Sequence, residues 1–349
     1  MKLIKGMGDF FALDIGTSAI RAVQLTGSAK TGWTLQNYGY SSVDPSLVQN
    51  SSEEGRAKLG EVIMTVIGQS GIKVRDVAIN FPANKTFTTI ADVPNQSESE
   101  LRKTIKYQLD QYIPMAVDDA KVDWALLGTS PRDMTKQEVL VASASMAYAE
   151  EQLEFIESLG LDVVAAEPDP IAMARSLTPI DINDARLIID FGELSADMVI
   201  VYADAPRLVR SIPGGLQSIT KAAAQNLNIR DEQARQFILK FGLAQDKLEG
   251  QVFRALDSNL ENFASELVKS IKFFQTKYPN IAVGGIILSG FAGIIPFMSE
   301  YIEARTSTPT VKGNPWQKVV VPKMFQDKLI NVASEFAVAV GLAERNNND

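Results

Sequence analysis

Residues 11–25 read FALDIGTSAIRAVQL. Phe11, Leu13 and Ile15 alternate along one run, Ile20, Ala22, Val23 and Leu25 mark a second, and Gly16-Thr17-Ser18 separates them. The pattern predicts two half-buried strands joined by a tight, hydroxyl-bearing turn. Gly16 lets backbone N–H groups approach an anion, Thr17 and Ser18 add hydroxyl donors, and Asp14 is placed to hold a hydrated Mg²⁺ facing a phosphate. From this segment alone an ordinary Asp-Gly hairpin is the stronger reading.

A second copy reverses that balance. Residues 186–202, RLIIDFGELSADMVIVY, repeat the arrangement, with Asp190-Phe191-Gly192 for Asp14-Ile15-Gly16, Ser195 as the hydroxyl, and another apolar strand beyond. Two strand, Asp-x-Gly, turn, strand units, each early in its half of the chain, predict two similar domains gripping one phosphate chain between them.

Composition sets the outer limits. The 349 residues correspond to about two or three domains, and 46% apolar with 22% charged residues is ordinary globular material. A formal charge of −8 without a cluster of Lys and Arg argues against nucleic-acid binding. The absence of Cys and His excludes disulfides, zinc on thiolate or imidazole, Ser-His-Asp triads and cysteine nucleophiles. Any metal is then a hard cation on carboxylate and water, Mg²⁺ on a phosphate above all. The first residues, MKLIKGMGDF, carry no apolar core or cleavage site of a secretory signal. Residues 281–298, IAVGGIILSGFAGIIPFM, are uncharged and about long enough to span a bilayer. Gly284, Gly285, Gly290, Gly293 and Pro296 nevertheless punctuate that run as strand, turn and helix start. The expectation is a cytoplasmic chain without direct membrane insertion.

In chain order, residues 33–43 predict a third strand, 52–70 a helix stopped by Gly71, and 74–81 a returning strand. From 86 to 160 the character changes. A strand reaches Pro94, Ser97 and Glu100 form a capping-box signature before a helix over 98–112, strands follow at 121–128 and 138–145, and a helix over 148–159 is halted by Gly160. This unit has no Asp-x-Gly element and reads as an inserted subdomain suited to partner contact. Beyond it a strand ends at Glu167, Asp169 reads as an N-cap before Pro170, and Glu167 is placed to orient a water or Mg²⁺, a solvated loop acid being an equal reading. Past the second hairpin, Pro213-Gly214-Gly215 precedes a helix whose N-terminus is a candidate anion cradle. A helix over 261–278 carries Glu266 and Lys269, three apart and adjacent in space; a surface ion pair is the stronger reading and ribose contact the other. A strand over 284–290, the Gly290 to Gly293 turn, a helix over 294–306, an edge segment VVVP, a last helix over 334–345 and a polar tail at 346–349 complete the chain.

These residues carry a family resemblance. The order of the Asp-x-Gly-Thr-Ser hairpin, Glu-Pro turn, second Asp-x-Gly hairpin, Gly-Gly helix start, Glu-x-x-Lys helix, Ser-Gly-x-Ala-Gly turn and Ala-Val-x-Gly-Leu-Ala end helix resembles the actin-like ATPase superfold shared by actin, Hsp70 and sugar kinases. The insertion, with Val93-Pro94, Glu100-Leu101-Arg102 and Gln111-Tyr112-Ile113-Pro114, is similar to that of the cell-division protein FtsA and more closely to that of the PilM family of type IV pilus assembly. The resemblance runs from Asp9 to Arg345 and implies an α/β, actin-like/Hsp70-like two-domain ATPase fold with duplicated ribonuclease-H-like cores. The first core spans 1–84 and 161–185 with 334–345 packing back on it, the FtsA/PilM-type subdomain 85–160, the second core 186–216 and 280–333, and a mostly helical subdomain 217–279.

The resemblance further implies ATP and Mg²⁺ as cofactors. Asp14, Gly16, Thr17 and Ser18 would form the first phosphate loop, Asp190, Gly192 and Ser195 the second, with Asp14 and Asp190 holding Mg²⁺ through water. Glu167 would direct water or Mg²⁺, Gly215 approach phosphate or ribose, Glu266 and Lys269 flank the adenosine, and Gly290 with Ala292 form the adenosine turn. Two departures stand out: Glu193 puts a like charge in the second loop, and Phe291 adds bulk where a glycine is usual. Both argue against rapid hydrolysis. PilM-like proteins bind ATP, dock the cytoplasmic N-terminal segment of the inner-membrane protein PilN beside the inserted subdomain, and connect that platform to the pilus motor ATPases. The implied role is therefore assembly, peripheral to the inner membrane through partners, with self-association left open. A small-molecule kinase and an FtsA-like membrane-associated filament protein are the competing readings; no second acid is clearly placed as a kinase base, and the ERNNND end carries no amphipathic helix.

Overall fold

A computed structural model describes residues 9–345 except 181 and 331, with the side chain of 106 also left out. The reading of the first residues as no secretory signal, and of 346–349 as a polar tail, falls outside the described residues.

The first half opens with β1 (Phe11–Ile15), β2 (Ala19–Ser28) and β3 (Gly32–Ser42), then α1 (Pro45–Val48), α2 (Glu53–Ser70) and β4 (Asp76–Phe81). The insertion supplies β5 (Thr86–Pro94), α3 (Glu98–Leu109), β6 (Ala120–Thr129) and β7 (Lys136–Ser145), followed by α4 (Met146–Ser158), β8 (Asp162–Pro168) and α5 (Asp169–Leu177). The second half has β9 (Ala185–Phe191), β10 (Ser195–Tyr202), β11 (Ala205–Pro213), α6 (Leu216–Leu227), α7 (Asp231–Phe241), α8 (Gln251–Lys277) and β12 (Val283–Gly290). It ends with α9 (Met298–Thr306), β13 (Thr310–Lys312), β14 (Val319–Val320), α10 (Lys323–Leu329) and α11 (Ala337–Ala343).

Sheet topology shows the duplication directly. The first sheet runs β14-β3-β2-β1-β4-β8 and the second β11-β10-β9-β12-β13. In each, an antiparallel meander of three strands is extended by two parallel strands reached through helical connections. Both central hairpins sit in the middle of their sheet because their strands are apolar on both faces, as a doubly covered sheet requires. Leu13 faces the outer core with Ile63 and Ile156, while Ala12 faces the opposite side. Leu187 and Ile189 pack outward under Leu216, Leu260 and Leu267, and Ile188 faces the first half.

Between the two sheets lie α5 and α11. Their small residues allow an approach so close that a Cβ on Gly341 would stand 1.8 Å from the Ala172 carbonyl oxygen. The last helix thus packs back on the first half, and the layer it forms with α5 is the common wall of both cores.

The insertion forms its own three-stranded sheet, β5-β7-β6, with Leu101, Ile105 and Leu109 of α3 covering Val139 and Val141. The capping box at Ser97 is complete, Glu100 returning a bond to the Ser97 amide. One element sits elsewhere than the reading of 85–160 as a unit places it: Ala149, Phe155 and Ile156 of α4 belong to the outer core of the first half. Helix α8 begins ten residues before 261, because Val252, Ala255, Leu256 and Leu260 continue its buried stripe up to Gly250, which has φ +69°. Residues 281–298 fold as β12, a 3₁₀ turn and the start of α9. Among the described residues no helix is long and apolar enough to cross a membrane.

Candidate functional site

The two Asp-x-Gly hairpins face each other across a cleft of about 770 Å³ between the halves, within the range of small-molecule sites. Their turns are built alike. The Gly16 amide donates to the Ala19 carbonyl at 3.0 Å, and the Gly192 amide donates to the Ser195 carbonyl at 2.8 Å. In each, the two following amides, of Thr17 and Ser18 or of Glu193 and Leu194, have no acceptor among the described residues. Free amides at a tight turn lining a polar cleft make a nest suited to phosphate oxygens.

The first turn is anchored from below. Asn80, at the end of β4, accepts from the Ile15 amide at 2.8 Å and donates to the Asp169 carboxylate at 2.8 Å. Asp169 thereby lines the cleft beside Asp14. Arg21, directly across the ladder from Asp14, donates to Asp14 at 3.1 Å and to Glu335 at 2.6 Å, and all three are buried or nearly so. In the second hairpin the same ladder position opposite Asp190 holds Asp197, whose carboxylate accepts from the Ser211 hydroxyl.

The electrostatics follow from this layout. Burial raises the Asp14 carboxyl above the ordinary range while the adjacent Arg21 guanidinium pulls it down. Burial and the Asp14 charge together push Asp169 well up. Asp190 is pushed up to about 7 by burial and by the facing Asp197, and Asp197 itself to about 6 by burial. Four carboxyl groups thus converge on a water-poor cleft where protons or a cation are needed to balance them. Among the described residues no three acidic side chains stand close enough to cage an ion. The donor set, free turn amides and carboxylates, fits a nucleotide phosphate chain with its cation.

Of the residues expected at the site, Asp14, Gly16, Thr17, Ser18, Asp190, Gly192, Ser195 and Gly290 all line this cleft. The others are placed differently. Glu167 is buried and forms a two-pronged pair with Arg175, at 2.6 and 2.9 Å, outside the cleft lining, whereas Asp169, two residues on, lines the cleft. Asp169 itself is not an N-cap; Pro168 holds that position and no side chain caps the helix. Glu266 and Lys269 pair on the exposed face of α8, where Glu266 also meets Arg210, and neither lines the cleft. Gly215 supports the second turn from behind, since a Cβ there would lie 2.3 Å from the Gly192 carbonyl oxygen. Ala292 is fully buried beneath the turn.

The two departures also change meaning. Glu193 does not confront the cleft as a bare charge: both carboxylate oxygens accept from Arg235 of α7, at 2.7 and 2.9 Å. The same guanidinium stacks 5.2 Å above the Phe291 ring, so the two unusual residues form one assembly at the rim.

Sequence reading missed Arg21, Asn80, Asp169, Asp197 and Glu335. Two had a signal: Arg21 and Asp197 are charges inside apolar strands, and hairpin pairing puts each opposite an Asp of the motif. Asn80 and Glu335 had none, because their partners are 65 and 314 residues away.

The fold recurs in known structures. The ethanolamine utilization protein EutJ from Carboxydothermus hydrogenoformans superposes with a TM-score of 0.53 at 16% identity over 96% of this chain and 88% of that one. MreB5 of Spiroplasma citri bound to AMPPNP gives 0.54 at 12% identity over 95% and 94%. Duplicated sheets around a shared cleft therefore define an actin-like ATPase fold. A far stronger likeness, TM-score 0.80 at 22% identity over 96% of this chain and 98% of that one, is to a chain of a PilM-PilN type IV pilus biogenesis complex. The sequence profile of the family described as type IV pilus assembly protein PilM matches residues 12–347, and the chain belongs to that family.

Proposed function

We propose that this chain is an ATP-binding, cytoplasmic component of a type IV pilus assembly platform, docking the N-terminal segment of a PilN-like inner-membrane protein and linking it to the motor ATPases. Family membership over nearly the whole length carries this reading, together with the likeness to the PilM–PilN complex. For the nucleotide, the support is the pair of turns with free amides facing Asp14, Asp169 and Asp190 across one cleft. When bound, Mg-ATP would supply negative charge that both turns share, drawing the halves together. Thr17, Ser18 and Ser195 orient the phosphates, Asp14 and Asp190 hold the hydrated cation, and Arg235 with Phe291 borders the base end.

Titration calorimetry tests this. A PilN-type N-terminal peptide is expected to bind, more tightly with Mg-ATP present than absent, and Mg-ATP is expected to bind alone. No heat from the peptide under either condition would remove the docking role, and no heat from Mg-ATP would remove the nucleotide role.

A further inference from the structure

A second cavity, of about 550 Å³, lies on the other side of the insertion, where the edge strand β5 meets the edge strand β11 and the last turn of α8. We propose that it binds a small oxyanion, a phosphate or carboxylate carried on a compact apolar body, with the Arg207 guanidinium as principal donor. The site is separate from the nucleotide cleft and does not rest on the proposed function.

Three cations, Arg132, Arg207 and Lys277, line this cavity. Arg132 pairs with Asp92. A second carboxylate among the cations, Glu138, is only 1% exposed and is already divided. It accepts the Tyr278 hydroxyl at 2.8 Å and stands 3.9 Å from Arg132 and 3.5 Å from the Arg207 Nε. The Arg207 side chain is 6% exposed; its Nε and Nη1 are closed to solvent and have no hydrogen-bond acceptor among the described residues, so an anion in the cavity engages them through a small shift of the guanidinium that lines it. A buried guanidinium with unspent donors is costly, and an oxyanion is the group whose geometry meets its fork. Lys277 donates only a long bond, 3.4 Å, to the Ile90 carbonyl. Burial and the neighbouring Arg132 and Arg207 charges push it down to about 8, despite Glu138. A bound anion would relieve both groups at once.

The rest of the lining says what carries the anion. Phe87, Leu140, Leu208 and Phe273 give apolar walls, and Phe273 is 60% exposed beside the cations. An aromatic or branched apolar body fits between those rings while its charged end reaches Arg207.

The test uses the full chain with three probes: inorganic phosphate, phenyl phosphate and benzoate. Hydrogen exchange is read at residues 207–209 and 273–278, alongside calorimetric affinity. Phenyl phosphate is expected to protect both segments and to bind more tightly than inorganic phosphate; comparison with benzoate distinguishes phosphate from carboxylate. Arg207→Gln is expected to lower affinity by about tenfold or more, the value of a charge-assisted hydrogen bond. Should that variant fail to fold, Lys277→Gln, at the helix end, is expected to weaken the same probe several-fold. Absence of protection with every probe, or protection that persists unchanged in the variants, overturns the proposal.

Discussion

The two hairpins are nearly superposable in their backbone bonding and opposite in their charge. Across the ladder from the motif aspartate, the first carries Arg21 and the second carries Asp197. The first carries its own counter-charge: Asp14 and Glu335 share one guanidinium in a buried triad. The second is held in tension, with Asp190 raised by burial and by the facing Asp197, and Asp197 raised by burial. The repeated hairpin thus keeps its turn hydrogen bonds while the charge opposite its aspartate differs. The pairing implies a division of labour, with one half preorganised and the other awaiting a cation or proton.

Breaking the side that carries its own cation is expected to have the largest effect. Arg21→Met strands two buried carboxylates, and removal of one partner from such a cluster costs about 3–5 kcal/mol; chemical denaturation at neutral pH would read it. A loss below about 1 kcal/mol would show that the triad is not an internal clamp.

The tense side is expected to respond to pH. Asp190 and Asp197 have folded-state values, about 7 and about 6, above their unfolded ones. The native state therefore holds extra protons from about pH 4 to 7, and stability from these two groups falls as pH rises through that window. Asp197→Asn is expected to flatten that slope and to stabilise the nucleotide-free protein by about 1 kcal/mol at neutral pH. Thermal melts between about pH 5 and 8 check this, and an unchanged slope would mean that Asp197 holds no extra proton in the native state.

Much of this comparison was legible in the sequence, and its limits are instructive. Strand alternation and the repeated Asp-x-Gly located both turns, since period-two burial and a glycine turn are local properties. Glu193 was misread because its neutralising partner, Arg235, lies 42 residues on in another helix. Glu167 was misread for a related reason. Its strand-end position alone does not reveal that Arg175, two turns into the next helix, turns the carboxylate away. Local motifs report where the backbone bends, whereas the destination of a charge depends on partners the fold brings from afar.

The rim assembly offers a smaller test. Glu193→Ser leaves the Arg235 guanidinium without its carboxylate beside the second turn, and Mg-ATP affinity is expected to rise by a factor of about ten or less. Calorimetry would detect it; weaker binding would mean Glu193 supports the turn itself. Smallest of all is Glu266→Ala, on the exposed face of α8. Neither the melting temperature nor nucleotide affinity is expected to move, and a clear loss of affinity would return this residue to the adenosine side.

The bond from Arg21 to Glu335 spans 314 residues of chain. During synthesis on the ribosome, the hairpin at residue 14 forms early, but its arginine meets its second carboxylate only when the final turns have emerged and docked between the sheets. A chain stopped short of that point exposes a half-satisfied charge where the finished molecule has a sealed one. Completion of the fold and completion of the first turn's electrostatics are therefore one event.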